Sequence, residues 1–381
     1  MVLFLHNRYR TTGGEERVVA DLLRLVPEHL GEPAQLLARD SAMLGRGRAA
    51  VGLLRGGLEP EDVARAVRLS GARVVHAHNL HPAFGWRALA AARAAGARVV
   101  LHLHQYRLVC AIGVCFTRGA DCTRCHGRDT LPGVRLNCRG SRPESLAYGV
   151  SLALWQRRLL EQADAVIIPS VFAGERLRKL GAPLPAERLH VLAPPVPVPA
   201  DSSAGTPGRS PGTYALVVSR LSPEKGVDVA IDACRIAGIP LVVAGDGPER
   251  DALGRRAVRS DVQLLGRVED AELARLRAGA AIALAPSRSA ETFGLAAAES
   301  MAAALPVAAS RVGALPELVG EEGLVAPGDA AALARAIDRL AGDLAAGERG
   351  KARVRARCAP EVVSEALAAI YDGREPHPPT P

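Results

Sequence analysis

The chain has 381 residues, 48% of them hydrophobic and only 3% aromatic, with a formal net charge of +8 at pH 7. That length suits two hydrophobic cores better than one, and no apolar run reaches the eighteen or more residues that a membrane-spanning helix needs. So few aromatic side chains leave little for bases to stack on, and no nucleic-acid partner is expected.

The charge is uneven. The first 200 residues hold 27 of the 48 Lys and Arg but only 16 of the 40 Asp and Glu, which makes that half +11 and the remainder −3. A basic first half fits an anionic acceptor or peripheral association with an anionic membrane; an Arg-rich genome decorating solvated faces explains the same balance. The opening Met1–Arg10 has too short an apolar part and no basic lead, so it reads as a first strand and not as a signal peptide. The expected location is the cytoplasm, or the inner face of the membrane.

Val2 to His6 is the first parallel strand. A turn at Thr11-Thr12-Gly13-Gly14 leads to a helix from about Glu15 to Leu25, which places Gly13 and Gly14 at the carboxyl end of a strand, where α/β folds bind ligands. Arg39 to Gly57 is basic, Gly-rich and poorly periodic, and reads as a mobile loop. Glu61–Leu69 and Pro82–Ala95 are helical, and Val74–His78 and Arg98–His104 are strands. This alternation predicts βαβ units and a parallel sheet. Two of the strands end in a His-x-His run, at His76/His78 and His102/His104. His78 and Asn79 are candidates for lining an acceptor site.

Five cysteines fall between Cys110 and Cys138. Cys122-x-x-Cys125 can place two thiolates on one ion, with Cys110 and Cys138 as the other ligands of a tetrahedral, structural zinc site. Cys115 is the spare, and His126 can replace one cysteine. Reduced structural cysteines remain an alternative, and so does a disulfide, which a cytosolic setting disfavours. Ser145–Gln162 is a helix, Ala165–Ser170 a strand, and Ser170 an N-cap. The Pro, Gly and Ser of residues 194–212 read as a linker, which ends a first domain of residues 1–193 with its Cys-rich insertion at 110–138.

The β pattern restarts at Tyr214. The strand Ala215–Ser219 exits into Arg220 and Lys225 before a helix from Gly226, and the two cations converge where a diphosphate would sit. Leu241–Gly245 is a strand with its turn at Gly245-Asp246-Gly247-Pro248, and Val262–Leu265 another, followed by Gly266-Arg267-Val268. Ala280–Ala285 is a buried strand whose loop carries Glu291 and reaches Gly294, close to the start of an Ala-rich helix. A helix N-terminus is a natural seat for phosphate. Glu291 in the loop and Glu299 a turn and a half inside the helix can flank one ligand, and carboxylates suit vicinal hydroxyls. Pro306–Ser310 is a strand, Ala330–Leu344 and Pro360–Tyr371 are helices, and the end should be disordered. The second domain is residues 213–358. A helix at 359–373 is expected to pack back on the first domain, with a tail at 374–381.

The run from Glu291 through Thr292-Phe293-Gly294-Leu295 to Glu299 resembles the Glu, seven residues, Glu signature of retaining glycosyltransferases of family 4. Ser219-Arg220-Leu221 with Pro223-Glu224-Lys225-Gly226, Gly245–Pro248 and Gly13-Gly14-Glu15-Glu16-Arg17 resemble further motifs of that family, in the family's order. The resemblance implies the GT-B fold, two Rossmann-like domains facing a central cleft. It implies metal-independent transfer of a hexose-type sugar, with retention, from a nucleotide-sugar to a saccharide or lipid-linked acceptor. UDP-sugar is the first donor and GDP-mannose the second. It places His104 beside the transferred sugar, Glu291 on its hydroxyls and Glu299 on the ribose, and assigns Arg220 and Lys225 to the departing diphosphate. Gly13, Gly14, Ser219, Gly245, Gly247, Arg267, Val268, Thr292, Phe293, Gly294 and Leu295 complete the donor site it implies. The alternatives are a nucleotide-sugar epimerase or phosphorylase using a similar cleft, and a non-catalytic, zinc-containing binding protein.

Overall fold

A computed structural model describes residues 1–9, 13–199, 212–258 and 260–376. Thr11 and Thr12 of the expected turn, residues 200–211 of the expected linker and the tail from 377 lie outside the described residues.

The chain divides into two compact units. The first comprises Met1–Thr117, Cys122–Pro195 and the described residues from Pro360 to Pro376. Its six-stranded sheet contains β1 (Val2–Arg8), β2 (Ala34–Asp40), β3 (Val74–Ala77), β4 (Arg98–His102), β7 (Ala165–Ile168) and β8 (Leu189–Val191), in the order β2-β1-β3-β4-β7-β8. Every pairing is parallel. Such strands are covered on both faces, which is why they read as continuous apolar runs and not as alternating ones. Two further short strands, β5 (Phe116–Thr117) and β6 (Ala120–Asp121), form a separate pair within the cysteine-rich segment.

The second unit is built on Val196–Ala359. Its sheet runs β11-β10-β9-β12-β13-β14, from β9 (Tyr214–Val218), β10 (Leu241–Ala244), β11 (Val262–Gly266), β12 (Ala280–Ala285), β13 (Val307–Ser310) and β14 (Leu324–Val325), again all parallel. Val217, Leu221, Ile231, Leu241, Val243, Ile282 and Ile337 belong to its closed core. In each sheet the chain builds outward in one direction, then returns to build outward in the other. That leaves one switch point in each sheet, between β1 and β3 in the first and between β9 and β12 in the second. In open α/β sheets ligands bind outside the carboxyl ends of the strands at such a point.

Three expectations are corrected. Arg39–Gly57 is not a loop: Ala34–Asp40 is the edge strand β2, and Arg46–Arg55 is a helix that buries Gly52 and Leu53 while its arginines face outward. The basic composition hid a short amphipathic repeat. The helix Ala330–Leu340 stops before Leu344, and a second helix, Leu344–Cys358, follows. The break falls at Gly342, and Asp343 caps the new helix by accepting from the Ala346 N–H at 3.0 Å. The first long helix, Gly14–Leu30, runs past Leu25 and ends on left-handed Gly31.

The helix Pro360–Tyr371 belongs to the first unit. Arg98 Nε donates to the Ile370 carbonyl at 3.1 Å, and the buried Tyr371 hydroxyl lies 2.7 Å from His76 Nδ1. No helix among the described residues is long and apolar enough to cross a membrane.

Candidate functional site

In the second unit, the loops leaving β9 and β12 meet at the switch point. After β9, Pro223–Lys225 forms a single 3-10 turn that ends on Gly226 and starts the helix Val227–Ala237. Gly226 has φ +64°, and a Cβ there would stand 2.1 Å from the Pro286 carbonyl oxygen, so only glycine lets the two loops approach this closely. Lys225 Nζ then donates to Glu291 Oε1 at 2.6 Å, and the Ser287 hydroxyl donates to the same oxygen at 2.6 Å. Burial works to raise the Glu291 carboxyl. The Lys225 charge and hydrogen bond, together with Ser287, overcome it and hold the group below the ordinary carboxylate value.

Arg220 is aimed by its neighbours. Its Nη2 donates to Glu224 Oε1 at 2.5 Å and its Nε to the Ser222 hydroxyl at 3.2 Å, while Ser222 donates to Glu224 at 2.6 Å. The Glu224 carboxyl is lowered in spite of burial by Ser222, its own amide and Arg220. Beyond β12, left-handed Gly294 is the N-cap of the helix Leu295–Ala302, and Thr292 and the buried Phe293 directly precede it. The Ala314 N–H donates to the Glu291 carbonyl at 2.9 Å, which fastens this loop to the one after β13.

On the other side of β9, the loops are stitched together by main chain. Ser219 N–H donates to Ala244 at 3.1 Å, Leu221 N–H to Asp246 at 2.9 Å and Gly245 N–H to Gly266 at 2.7 Å. Ser219, Gly245 and Gly247 therefore border the same loops as Arg220, and Arg267 and Val268 follow directly from β11. Glu299 pairs with Arg277, a largely buried guanidinium on the helix Asp270–Gly279. Sequence reading missed Arg277, Ser287 and the brace of Ser222 and Glu224. Arg277 lies 22 positions from its partner, and nothing local marks it.

The first unit gathers a second constellation at the ends of β1, β3 and β4. Tyr9, Glu15, His78, Asn79, His104, Gln105 and Arg107 line one pocket. The Tyr9 hydroxyl donates to Glu15 Oε2 at 2.7 Å, Gln105 Nε2 donates to both at 3.0 Å, and Arg107 Nη2 donates to Gln105 Oε1 at 3.1 Å. Glu16 accepts the N–H groups of Tyr9 at 3.1 Å and of Gly13 at 2.8 Å, so Gly13 and Gly14 are held by the helix they begin. Asn79 is spent on main chain: Nδ2 donates to the Asn7 carbonyl at 2.6 Å and Oδ1 accepts the His81 N–H at 3.3 Å. Tyr9, Gln105 and Arg107 were missed, because their proximity follows from the strand order and not from spacing.

Behind this pocket stands a ladder of imidazoles. Alternate residues of a strand share a face, so His76 and His78 from the β3 end lie beside His102 and His104 from the β4 end. His78 Nδ1 is 2.8 Å from His104 Nε2, and His76 Nε2 is 3.3 Å from His102 Nδ1. Burial pushes His76 down to about 3, His78 and His102 well below the ordinary histidine value, and His104 in the same direction. One ring nitrogen from each of His76, His78 and His102 lies within 4.8 Å of the others; among the described residues no other group of three or more candidate metal ligands is as closely gathered. The five cysteines of the 110–138 segment line a separate cavity, and none is in a disulfide.

Comparison with known proteins agrees with this layout. Residues 2–195 match the model of the glycosyl transferase 4-like domain, and residues 212–343 that of glycosyl transferases group 1. The chain is 35% identical over 192 residues to a GDP-mannose-dependent alpha-(1-6)-phosphatidylinositol dimannoside mannosyltransferase of Mycobacterium tuberculosis, covering 46% of this chain and 48% of that one. It is 32% identical over 244 residues to the glycogen synthase of the same species, covering 58% of each. The chain thus spans about half the length of the curated relatives it matches. Among solved structures, HepE of Anabaena in complex with UDP and glucose superposes with a TM-score of 0.65 over 97% of this chain and 99% of that one. The sucrose-phosphate synthase of Thermosynechococcus elongatus gives 0.67 over 97% and 98%. Both are 19% identical to this chain, a likeness of fold.

Proposed function

This chain belongs to the glycosyl transferase 4-like family, and from that premise we infer that it moves a hexose-type sugar from a nucleotide-sugar to a saccharide or lipid-linked acceptor, with retention at the anomeric carbon. The observation that carries the reading is the Lys225–Glu291 pair at the switch point of the second sheet. An ammonium has three donors, so Lys225 can keep Glu291 and take a phosphate oxygen together. Arg220, half exposed and held by Ser222 and Glu224, offers a second cation. The N-terminus at Gly294 adds the unpaired N–H groups and positive dipole of a helix.

In this reading these groups stabilise the diphosphate as it departs, the largest charge to develop in the reaction, and a catalytic metal has no assigned task. The bond from the anomeric carbon to the phosphate oxygen breaks, the bond to the acceptor oxygen forms on the same face, and the acceptor's proton passes to the leaving phosphate. Glu291 holds hydroxyls of the transferred sugar and Glu299, steadied by Arg277, the ribose diol. The pocket of Glu15, Gln105 and Arg107, with His78 in its wall, takes the acceptor, and His104 is assigned to the transferred sugar.

UDP-hexose is the proposed donor. The GDP-mannose dependence of the mycobacterial mannosyltransferase supports GDP-mannose as the second. A thermal-shift panel of nucleotide-sugars on the full chain tests the reading, since a ligand that binds only the folded state raises the melting temperature by mass action. A shift with UDP-glucose or GDP-mannose, and none with the free sugars, is expected. Conversion of a UDP-sugar to its epimer without any acceptor would instead support an epimerase.

A further inference from the structure

We propose that Cys110, Cys122, Cys125 and Cys138 form a closed, structural site for one zinc ion, independent of the sugar-transfer site. Five of the seven cysteines lie within these 29 residues, and all five line one cavity together with Arg124 and Gly133. The other two, Cys234 and Cys358, are buried in apolar surroundings of the second unit, and burial pushes both thiols up to about 12. Those are ordinary core cysteines; the five are not.

Local structure brings the four ligands in from two sides. Cys110 ends a tight turn, its N–H donating to the Tyr106 carbonyl at 2.9 Å and its carbonyl accepting from Gly113 at 2.9 Å. Cys122 of the Cys-x-x-Cys pair is tied to this turn, because its N–H donates to the Cys115 carbonyl at 2.8 Å. From the other side, Cys125 and Cys138 flank the short helix Leu131–Arg135, with the Cys138 N–H on the Gly133 carbonyl at 3.1 Å. A Cβ at Gly133 would stand 3.3 Å from Cys125 Sγ, so a small residue keeps that sulfur's space open.

Four thiols facing one space with no disulfide between them are the donor set of structural zinc. Cys115 is buried beneath the turn and has a left-handed φ of 49°, which makes it a brace for Cys110 and leaves the other four as the ligand set. A Zn–S bond of about 2.3 Å sets sulfur–sulfur distances of roughly 3.8 Å. No three of these sulfurs lie within 4.8 Å of one another, so a bound ion would draw the side chains inward. Non-glycine residues with positive φ at Cys115, Arg118 and Asn137 mark a segment that needs such a tie to hold its shape. With all four positions taken by sulfur, the ion has no open site for chemistry.

The test uses the full chain, loaded with Zn²⁺ under a non-thiol reductant and then passed over a chelating resin. One zinc ion retained per chain is expected, and replacement by Co²⁺ should give a thiolate-to-cobalt charge-transfer band with a tetrahedral visible spectrum. That measurement needs no variant. Cys122→Ser with Cys125→Ser should lower retention at least tenfold, whereas Cys115→Ser should keep it. Absence of stoichiometric zinc, or of the thiolate band, overturns the proposal. So does zinc that survives the double cysteine change and is lost in His76→Gln, which would assign the ion to the imidazole ladder.

Discussion

Lys225 Nζ lies 2.6 Å from Glu291 Oε1, although 66 residues separate them in the chain. The bond joins the loops after β9 and β12, strands that neighbour each other in the sheet but were laid down from opposite sides of its switch point. Glu291 is the more buried partner and Lys225 is half-buried, so removing Lys225 leaves a largely desolvated carboxylate without its counter-charge.

Lys225→Ala should therefore reduce turnover on the order of a hundredfold to a thousandfold, the range seen when one preorganised donor to a developing anion is removed. Far-UV circular dichroism should be unchanged. Steady-state rates with a nucleotide-sugar donor check this, and wild-type turnover in the variant would remove Lys225 from the mechanism.

The same pair predicts a reversal in how stability depends on pH. In the wild type the Glu291 value is lowered on folding from its ordinary 4.5, so its contribution is present above that value and is lost as pH falls through the folded one. In Lys225→Met the burial that opposes ionisation acts without Lys225 against it, and the folded value rises. That variant's contribution should instead decline as pH rises above about 4.5. Urea unfolding at intervals from pH 4 to pH 7 reads the sign of the difference between the two proteins; parallel profiles would mean that the pair is solvated.

Gly313 supports Glu291 from beneath. Its φ is +65°, and a Cβ there would stand 2.3 Å from the Glu291 nitrogen and 2.4 Å from its carbonyl oxygen. Gly313→Ala should cost more than the roughly 1–3 kcal/mol of a left-handed non-glycine residue, because the Glu291 loop must also move. Gly328→Ala is the control, with φ +81° and no atom within 4 Å. Thermal melts of the two should differ, with donor affinity falling only for Gly313→Ala.

The imidazole ladder predicts acid sensitivity. Burial lowers His76 from 6.5 to about 3, so the unfolded chain binds its proton first and stability is lost as pH falls between those two values. Each such histidine contributes up to about 1.4 kcal/mol per pH unit within its window. His76→Gln should flatten the slope of unfolding free energy against pH by up to one proton, whatever it does to the level. An unchanged slope would show that His76 is already protonated or exposed in the folded state.

Much of this was legible in the sequence, for definable reasons. Buried parallel strands announce themselves as apolar runs, and Gly226 and Gly294 mark the backbone turns at which helices begin. The motif residues Arg220, Lys225 and Glu291 do fall on adjoining loops. What stayed hidden was what only strand order creates. Tyr9 and Gln105 meet because β1, β3 and β4 are neighbours, and Arg277 meets Glu299 because one helix lies beside another. The helix Arg46–Arg55 escaped notice because its buried face is only Gly52 and Leu53, too small to show a period against four other basic or glycine positions.

The decisive point is where an activated sugar's diphosphate rests, and a crystal structure of the full chain with UDP locates it directly. The expected result is a diphosphate held by Arg220, Lys225 and the N–H groups at Gly294, with the ribose on Glu299. A diphosphate bound elsewhere while the Lys225–Glu291 pair remains closed would contradict the account.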